Sequence, residues 1–378
     1  MLALARAGQL GGWILHEDRI GDAADFVAAT IRIAWPDLRV PLHARWRHFA
    51  AGGRDRWAPI AARSGADRAA RARAAFDLAI VSVLLDAGAG AEWRYVEQDG
   101  TRLVRSEGLA VASLAMLAAG AFADDGRSLR ADAARLAATS EDDLARGFQV
   151  GPENPLVGLA GRAALLRCLG ATIAARPDIF ARADTPRPGG LFDLLAGQAE
   201  SGRLPARSIL IALLHHLGPI WAGRETLGGV GLGDCWRHPA LGLVPLHKLS
   251  QWMAYSLVEP LRDAGIVVTG LDGLTGLAEY RNGGLFVDLG VLCLRDPADA
   301  ARTHAVGDPL VVEWRALTVA LLDELAPMVR ARLDVTAEAF PLTCLLEGGT
   351  WRAGRDAATA RRADSGPPLR IASDGTVF

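Results

Sequence analysis

The chain has 378 residues, enough to bury a substantial core, and its 51% hydrophobic and 22% charged residues exclude a disordered or low-complexity protein. With 41 basic against 43 acidic residues and a formal charge of −2, there is no global attraction to nucleic acid or anionic lipid, and neither is expected as a partner. Cys168, Cys235, Cys293 and Cys344 lie far apart with no CxxC pair, so neither a disulfide framework nor a four-thiolate zinc site is signalled.

The opening MLALARAGQLGGWIL carries Arg6 and three glycines within its apolar stretch and makes a poor secretory segment. An amphipathic helix is predicted from Asp22, stopped by Pro36. Next, PLHARWRHFAAGGRDRW crowds His43, Arg45, Trp46, Arg47 and His48 together, a set costly to bury unless each group has a partner. Residues 67–85 read as a long helix, and WRYVEQDGTRLVR as a hairpin turning at Asp99-Gly100. Helical patterns follow over 106–116, 129–138, 159–175, 191–198, 207–221 and 246–261. GIVVTG and GGLFVDLG read as short strands. The last long helix, 311–333, has a stripe of Trp314, Leu317, Leu321, Leu325 and Met328, with Pro327 expected to kink it. Asp374-Gly375 reads as one more turn. The longest apolar runs, 78–90 and 209–223, are too short or too interrupted to cross a bilayer, so no membrane partner and a cytoplasmic location are expected.

The expected fold is therefore mainly α, multi-helical, with small β-hairpin elements. We expect one compact unit over 1–378, with a possible subdivision into 1–180 and 190–378 at the Pro/Gly-rich loop between them. The second part carries most of the site motifs.

Three stretches concentrate polar chemistry. In GLTGLAEYRNGGLFVDLGVL, five glycines let the backbone turn or approach a ligand, while Glu279, Tyr280, Arg281, Asn282 and Asp288 supply acids, a ring and hydrogen-bonding groups. An ordinary surface loop with an Arg–carboxylate pair fits the same composition. In LGDCWRHPALGLVPLHK, Asp234, Trp236, His247 and Lys248 accompany Cys235 and His238, whose spacing suggests a metal. Zinc wants three or four ligands with a recognisable second pair, which is missing, so no metal is expected. In VVEWRALTVALL, Glu313 and Arg315 flank Trp314 near a helix start, where an acid is also favoured by the helix dipole alone. Arg45, Arg47 and His43 could bind a phosphate or hold a loop to acidic neighbours. The run Gly228-Gly229-Val230-Gly231-Leu232-Gly233 lacks GxGxxG order, and neither a GxSxG elbow nor a P-loop occurs.

Taken together, PLHARWRHFAAGG, FQVGPENPLVGLAGRAALL, VPLHKLSQWMAYSLVEPL, the Glu279 and Glu313 stretches, LEGGTWRAGR and SDGTVF resemble the uracil-catabolism protein four family from Pro41 to the C-terminus. That resemblance implies a pathway that converts uracil to its ribonucleotide, opens the ring and releases urea. Urea on C1′ of ribose 5-phosphate must then be released by breaking an N-glycosidic bond. AEYRNGG followed by VVEWRALTVALLDEL is also similar to queuosine nucleoside glycosylases, which implies a helical core like that of DNA glycosylases. It also implies that Glu279 holds the position of an active-site acid. This chain has Glu where that family has Asp, and Asn-Gly-Gly where it has Val-Pro-Gln.

On this reading Glu279, or second Asp234, lies beneath C1′ and stabilises the cationic transition state. Asp288 or His247 protonates the departing urea. A second carboxylate holds the ribose hydroxyls; Arg281, Arg315, Lys248, Arg45 and Arg47 are available to the phosphate; Tyr280 or Trp236 stacks on the urea, and Asn282 and Glu313 are further substrate-binding candidates. The expected partner is a small phosphoribosyl molecule and no cofactor is needed. A metal-dependent ureide amidohydrolase and a non-catalytic binder of the phosphoribosyl intermediate remain the alternatives.

Overall fold

The computed structural model describes residues 1–181, 185–221 and 224–372. The predicted Asp374-Gly375 turn lies outside them. Helices dominate, and the sheets among the described residues are two-stranded. No described helix is long and apolar enough to cross a membrane. The chain groups into two units built from interleaved stretches: Met1–His43, Asp234–Gln251 and Leu271–Ala372 form the first, while Ala44–Gly233 and Trp252–Gly270 lie in the second.

In the second unit the helix Arg68–Leu84 begins where Asp67 accepts a hydrogen bond from the Ala69 N–H at 2.9 Å, satisfying one of the donors that a helix start leaves open. Its buried run, Ala72 to Leu84 with few breaks, packs against the helices Arg105–Ala118 and Gly190–Gln198. Beyond its C-terminus the fully buried Arg162 donates to the carbonyls of Leu85 at 2.9 Å and Ala87 at 2.7 Å, which explains an arginine on the apolar helix Leu159–Ala174. The predicted hairpin is Arg94–Val96 against Arg102–Val104, with Gly100 at φ +85° in the turn. Strand Val267–Thr269 runs parallel to Arg203–Pro205.

In the first unit the helix Ile20–Ala34 packs on the 25-residue helix Pro309–Leu333, which starts with proline at its first position and ends on Asp334 in the left-handed region. That helix continues past Pro327 to Leu333. Trp314, Leu317, Leu321 and Leu325 are all buried as the stripe requires, joined by Val329 where Met328 is only half-buried. Strand Trp13–Leu15 pairs antiparallel with Leu292–Leu294, and Cys235–His238 forms a hairpin with Gly242–Pro245.

One element departs from the sequence pattern. GGLFVDLG is not a strand: Tyr280–Asp288 is a helix. Two glycines lower its intrinsic propensity, but Glu279 caps it and close packing outweighs the deficit. A Cβ at Gly283 would meet Thr318 Oγ1 at 2.6 Å and the Trp314 ring at 2.8 Å, so the missing side chain lets this helix lie directly on Pro309–Leu333. From the other side, a Cβ at Gly354 in the helix Trp351–Arg361 would fall 2.2 Å from the Arg281 carbonyl oxygen. Backbone cannot yield as a side-chain tip can. Gly354→Ala is therefore expected to cost about 2 kcal/mol despite alanine's better helix propensity, measured by denaturant unfolding. Gly197→Ala, where nothing lies within 4 Å, is the control and should be neutral or slightly stabilising.

Candidate active site

All the polar candidates except Arg45 and Arg47 belong to the first unit. The site is assembled around one buried ion pair. Arg315, 1% exposed, presents both terminal nitrogens to Asp234 at 2.8 Å each, and its Nε donates to the Ala278 carbonyl at 3.2 Å. Asp234 also accepts from Trp236 Nε1 at 2.6 Å and from the Lys248 backbone N–H at 2.9 Å. Its own carbonyl takes the N–H groups of Leu246 and His247. One carboxylate thus fixes the hairpin Cys235–His238/Gly242–Pro245, the start of the helix Lys248–Asp263 and, through Arg315, the residue preceding Glu279. Val244, Leu246, Ala278 and Val312 form the apolar cluster behind this network, with Trp236 packed on it. Burial pushes the Asp234 carboxyl up, but the Arg315 charge and the four hydrogen bonds outweigh it and hold it at about 2.

His247 adopts φ +47°, a left-handed conformation that is strained for a side-chain-bearing residue and recurs at functional sites. Burial, with Asp234 opposing, pulls its imidazole below the usual histidine range.

Glu279 is the N-cap of Tyr280–Asp288. Its Oε2 accepts from the Arg281 N–H at 2.8 Å and its Oε1 from the Asn282 N–H at 2.6 Å. The residue is 9% exposed, and burial raises its carboxyl above the ordinary glutamate range against those two hydrogen bonds and the fields of Lys248 and His43. Asn282 donates to the Leu277 carbonyl and accepts from Thr350 Oγ1 at 2.8 Å; Gln251 accepts from the Thr275 N–H at 3.2 Å. The loop leading to Glu279 is therefore held from several elements. Arg281 stacks over the half-buried Tyr280 ring at 4.9 Å and donates to the Ser365 carbonyl.

The other candidates are engaged differently. Asp288 forms a bidentate pair with Arg362 at 2.7 and 2.6 Å. Glu313 accepts from the Gly11 and Gly12 N–H groups at 3.1 and 2.9 Å and contacts His238 Nε2 at 3.2 Å, so it clamps the N-terminal segment to the long helix. In the second unit Arg45, fully buried, bonds Asp86 at 2.6 Å and Ser82 at 2.8 Å, while Arg47 bonds both oxygens of Glu259. Each of those arginines has its own carboxylate. Of the three carboxylates proposed for catalysis, Glu279 alone is held by backbone N–H groups rather than by an arginine.

Two residues outside the candidate set contact members of it. His238 contacts Glu313, and Glu347 contacts His43 Nδ1 at 2.6 Å. An acid directly before Gly348-Gly349 was the available signal for Glu347. Among the described residues no three His, Cys, Asp or Glu side chains come together as a metal-ligand set.

The whole chain, residues 1–378, matches the family described as "Protein of unknown function (DUF1688)", and it belongs to that family. It is 38% identical over 390 residues to "Protein urg3" of Schizosaccharomyces pombe (strain 972 / ATCC 24843), covering 100% of this chain and 95% of that protein. It is also 37% identical over 413 residues to "Uracil catabolism protein 4" of Lachancea kluyveri, covering 98% and 93%. The resemblance drawn from the sequence blocks thus extends over the full length.

Proposed function

We propose that this chain acts in uracil degradation and hydrolyses the N-glycosidic bond of ribosylurea 5-phosphate, giving urea and ribose 5-phosphate. The full-length likeness to a relative named for uracil catabolism supports the pathway. The observation that carries the chemistry is Glu279: a buried carboxyl, raised by burial, held by two N–H groups and, among the described residues, clamped by no arginine.

Cleavage of C1′–N builds positive charge on the ribose. A carboxylate beneath C1′ stabilises that charge and takes the proton of the attacking water. The two N–H bonds aim Glu279 without quenching it. Lys248 lies within electrostatic reach of Glu279 and is the candidate for the phosphate or the ribose hydroxyls; Tyr280 and Trp236 offer planar faces for the urea. Asp234 and Arg315 act as the frame of the site.

The test is to incubate the purified chain with ribosylurea 5-phosphate, with and without chelator, following urea and ribose 5-phosphate together. Equal release of both, insensitive to chelator, is expected. Chelator-sensitive ammonia release would mark an amidohydrolase instead, and tight binding without turnover a carrier of the intermediate.

A further inference from the structure

Urea is a poor anionic leaving group, so a proton must reach its nitrogen as the bond breaks. Asp288 is committed to Arg362, and burial keeps His247 below the usual histidine range. The turn Leu346–Thr350 offers another group. It is a single π-helical turn, a rare wide turn that is frequent at functional sites. Cβ atoms at Gly348 and Gly349 would meet Val40 at 2.9 Å and Val27 at 2.8 Å, so two glycines seat this turn on the helix Ile20–Ala34 and on the segment leading to His43.

Two side chains of that turn make polar contacts beyond it. Thr350 donates to Asn282, whose N–H binds Glu279. Glu347 Oε2 lies 2.6 Å from His43 Nδ1. The His43 backbone N–H is fixed by Thr343, and its side chain is 7% exposed. A carboxylate on Nδ1 sets the imidazole tautomer and makes Nε2 the nitrogen that exchanges a proton.

We propose that His43, oriented by Glu347, is a further catalytic residue, the group that protonates the departing urea nitrogen. This rests on the glycosidase reading above. In the step, the doubly protonated His43 ring, its Nδ1–H held by Glu347, gives the Nε2 proton to the urea nitrogen, which keeps the electron pair of the broken C1′–N bond, and is left as the neutral Nδ1–H tautomer. Water oxygen bonds to C1′ and its proton passes to Glu279. Urea leaves neutral, and the proton on Glu279 returns to His43 through solvent. Glu347 is a positioning residue.

The test compares two substrates: ribosylurea 5-phosphate, and 4-nitrophenyl β-D-riboside 5-phosphate, whose leaving group departs without a proton. His43→Asn is expected to slow urea release roughly 10²-fold or more while slowing nitrophenolate release less than about 5-fold. Glu347→Gln should show the same split, smaller, which keeps the test open if His43→Asn folds poorly. Equal losses on both substrates in both variants, or no loss, would overturn the role of His43 and leave the glycosidase reading standing. No urea release by the unaltered chain would overturn that reading and this inference with it.

Discussion

Asp234→Asn is expected to destabilise the first unit by about 3–5 kcal/mol, because it leaves the Arg315 guanidinium charged, 1% exposed and without its carboxylate. Arg315→Met should be comparably damaging, since it strands an ionised Asp234 with only the Trp236 and Lys248 N–H groups. The double variant should lose less than the sum of the two, because neither charge is then left alone. Denaturant unfolding of the four proteins measures this coupling directly. The Asp234 carboxyl is depressed from 3.8 to about 2, so the native state binds the proton more weakly than the unfolded chain does. The pair's contribution is accordingly full above the unfolded value and lost as pH falls through about 2. A simple sum with no coupling would show that the two residues do not act as one frame.

The second large effect falls on activity. Glu279→Gln should reduce urea release roughly 10³-fold or more, since it removes the only carboxylate proposed to sit under C1′. It should cost stability little, because one amide oxygen still accepts an N–H at the helix start and a lost cap bond is worth about 1 kcal/mol. Burial raises Glu279, and the group must be ionised to work, so activity should fall on the acid side through a pKa above the ordinary 4.5. Lys248 pulls that pKa down. Lys248→Met should therefore move the acid limb of kcat/KM to higher pH, and a shift to lower pH would contradict the proposed field.

The elements legible in the sequence were those with local signals. The helical pattern over 67–85, the Asp99-Gly100 turn and the Trp314 stripe each produced the expected element, because hydrogen bonds and hydrophobic faces within a few residues decide them. Tyr280–Asp288 was not legible as a helix. Gly283 is explained by Trp314 and Thr318, and Gly354 by its approach to the Arg281 carbonyl, neighbours that no local pattern could bring near. Most of the polar candidates fall within one unit. Their pairing was not recognised: Asp234 with Arg315 lies 81 residues apart, Asp288 with Arg362 74 residues apart, and residue type alone cannot say which acid an arginine will take. That is why Glu279, Asp234 and Asp288 looked alike in the sequence and differ in the fold. Glu347 was overlooked because its partner, His43, lies 304 residues away.

Which bond breaks can be read by following ribosylurea 5-phosphate, labelled with ¹³C at the urea carbonyl, by carbon NMR during turnover. Cleavage at C1′–N puts the label in free urea as ribose 5-phosphate accumulates. Label appearing in bicarbonate with ammonia, or label remaining on the sugar, would contradict it.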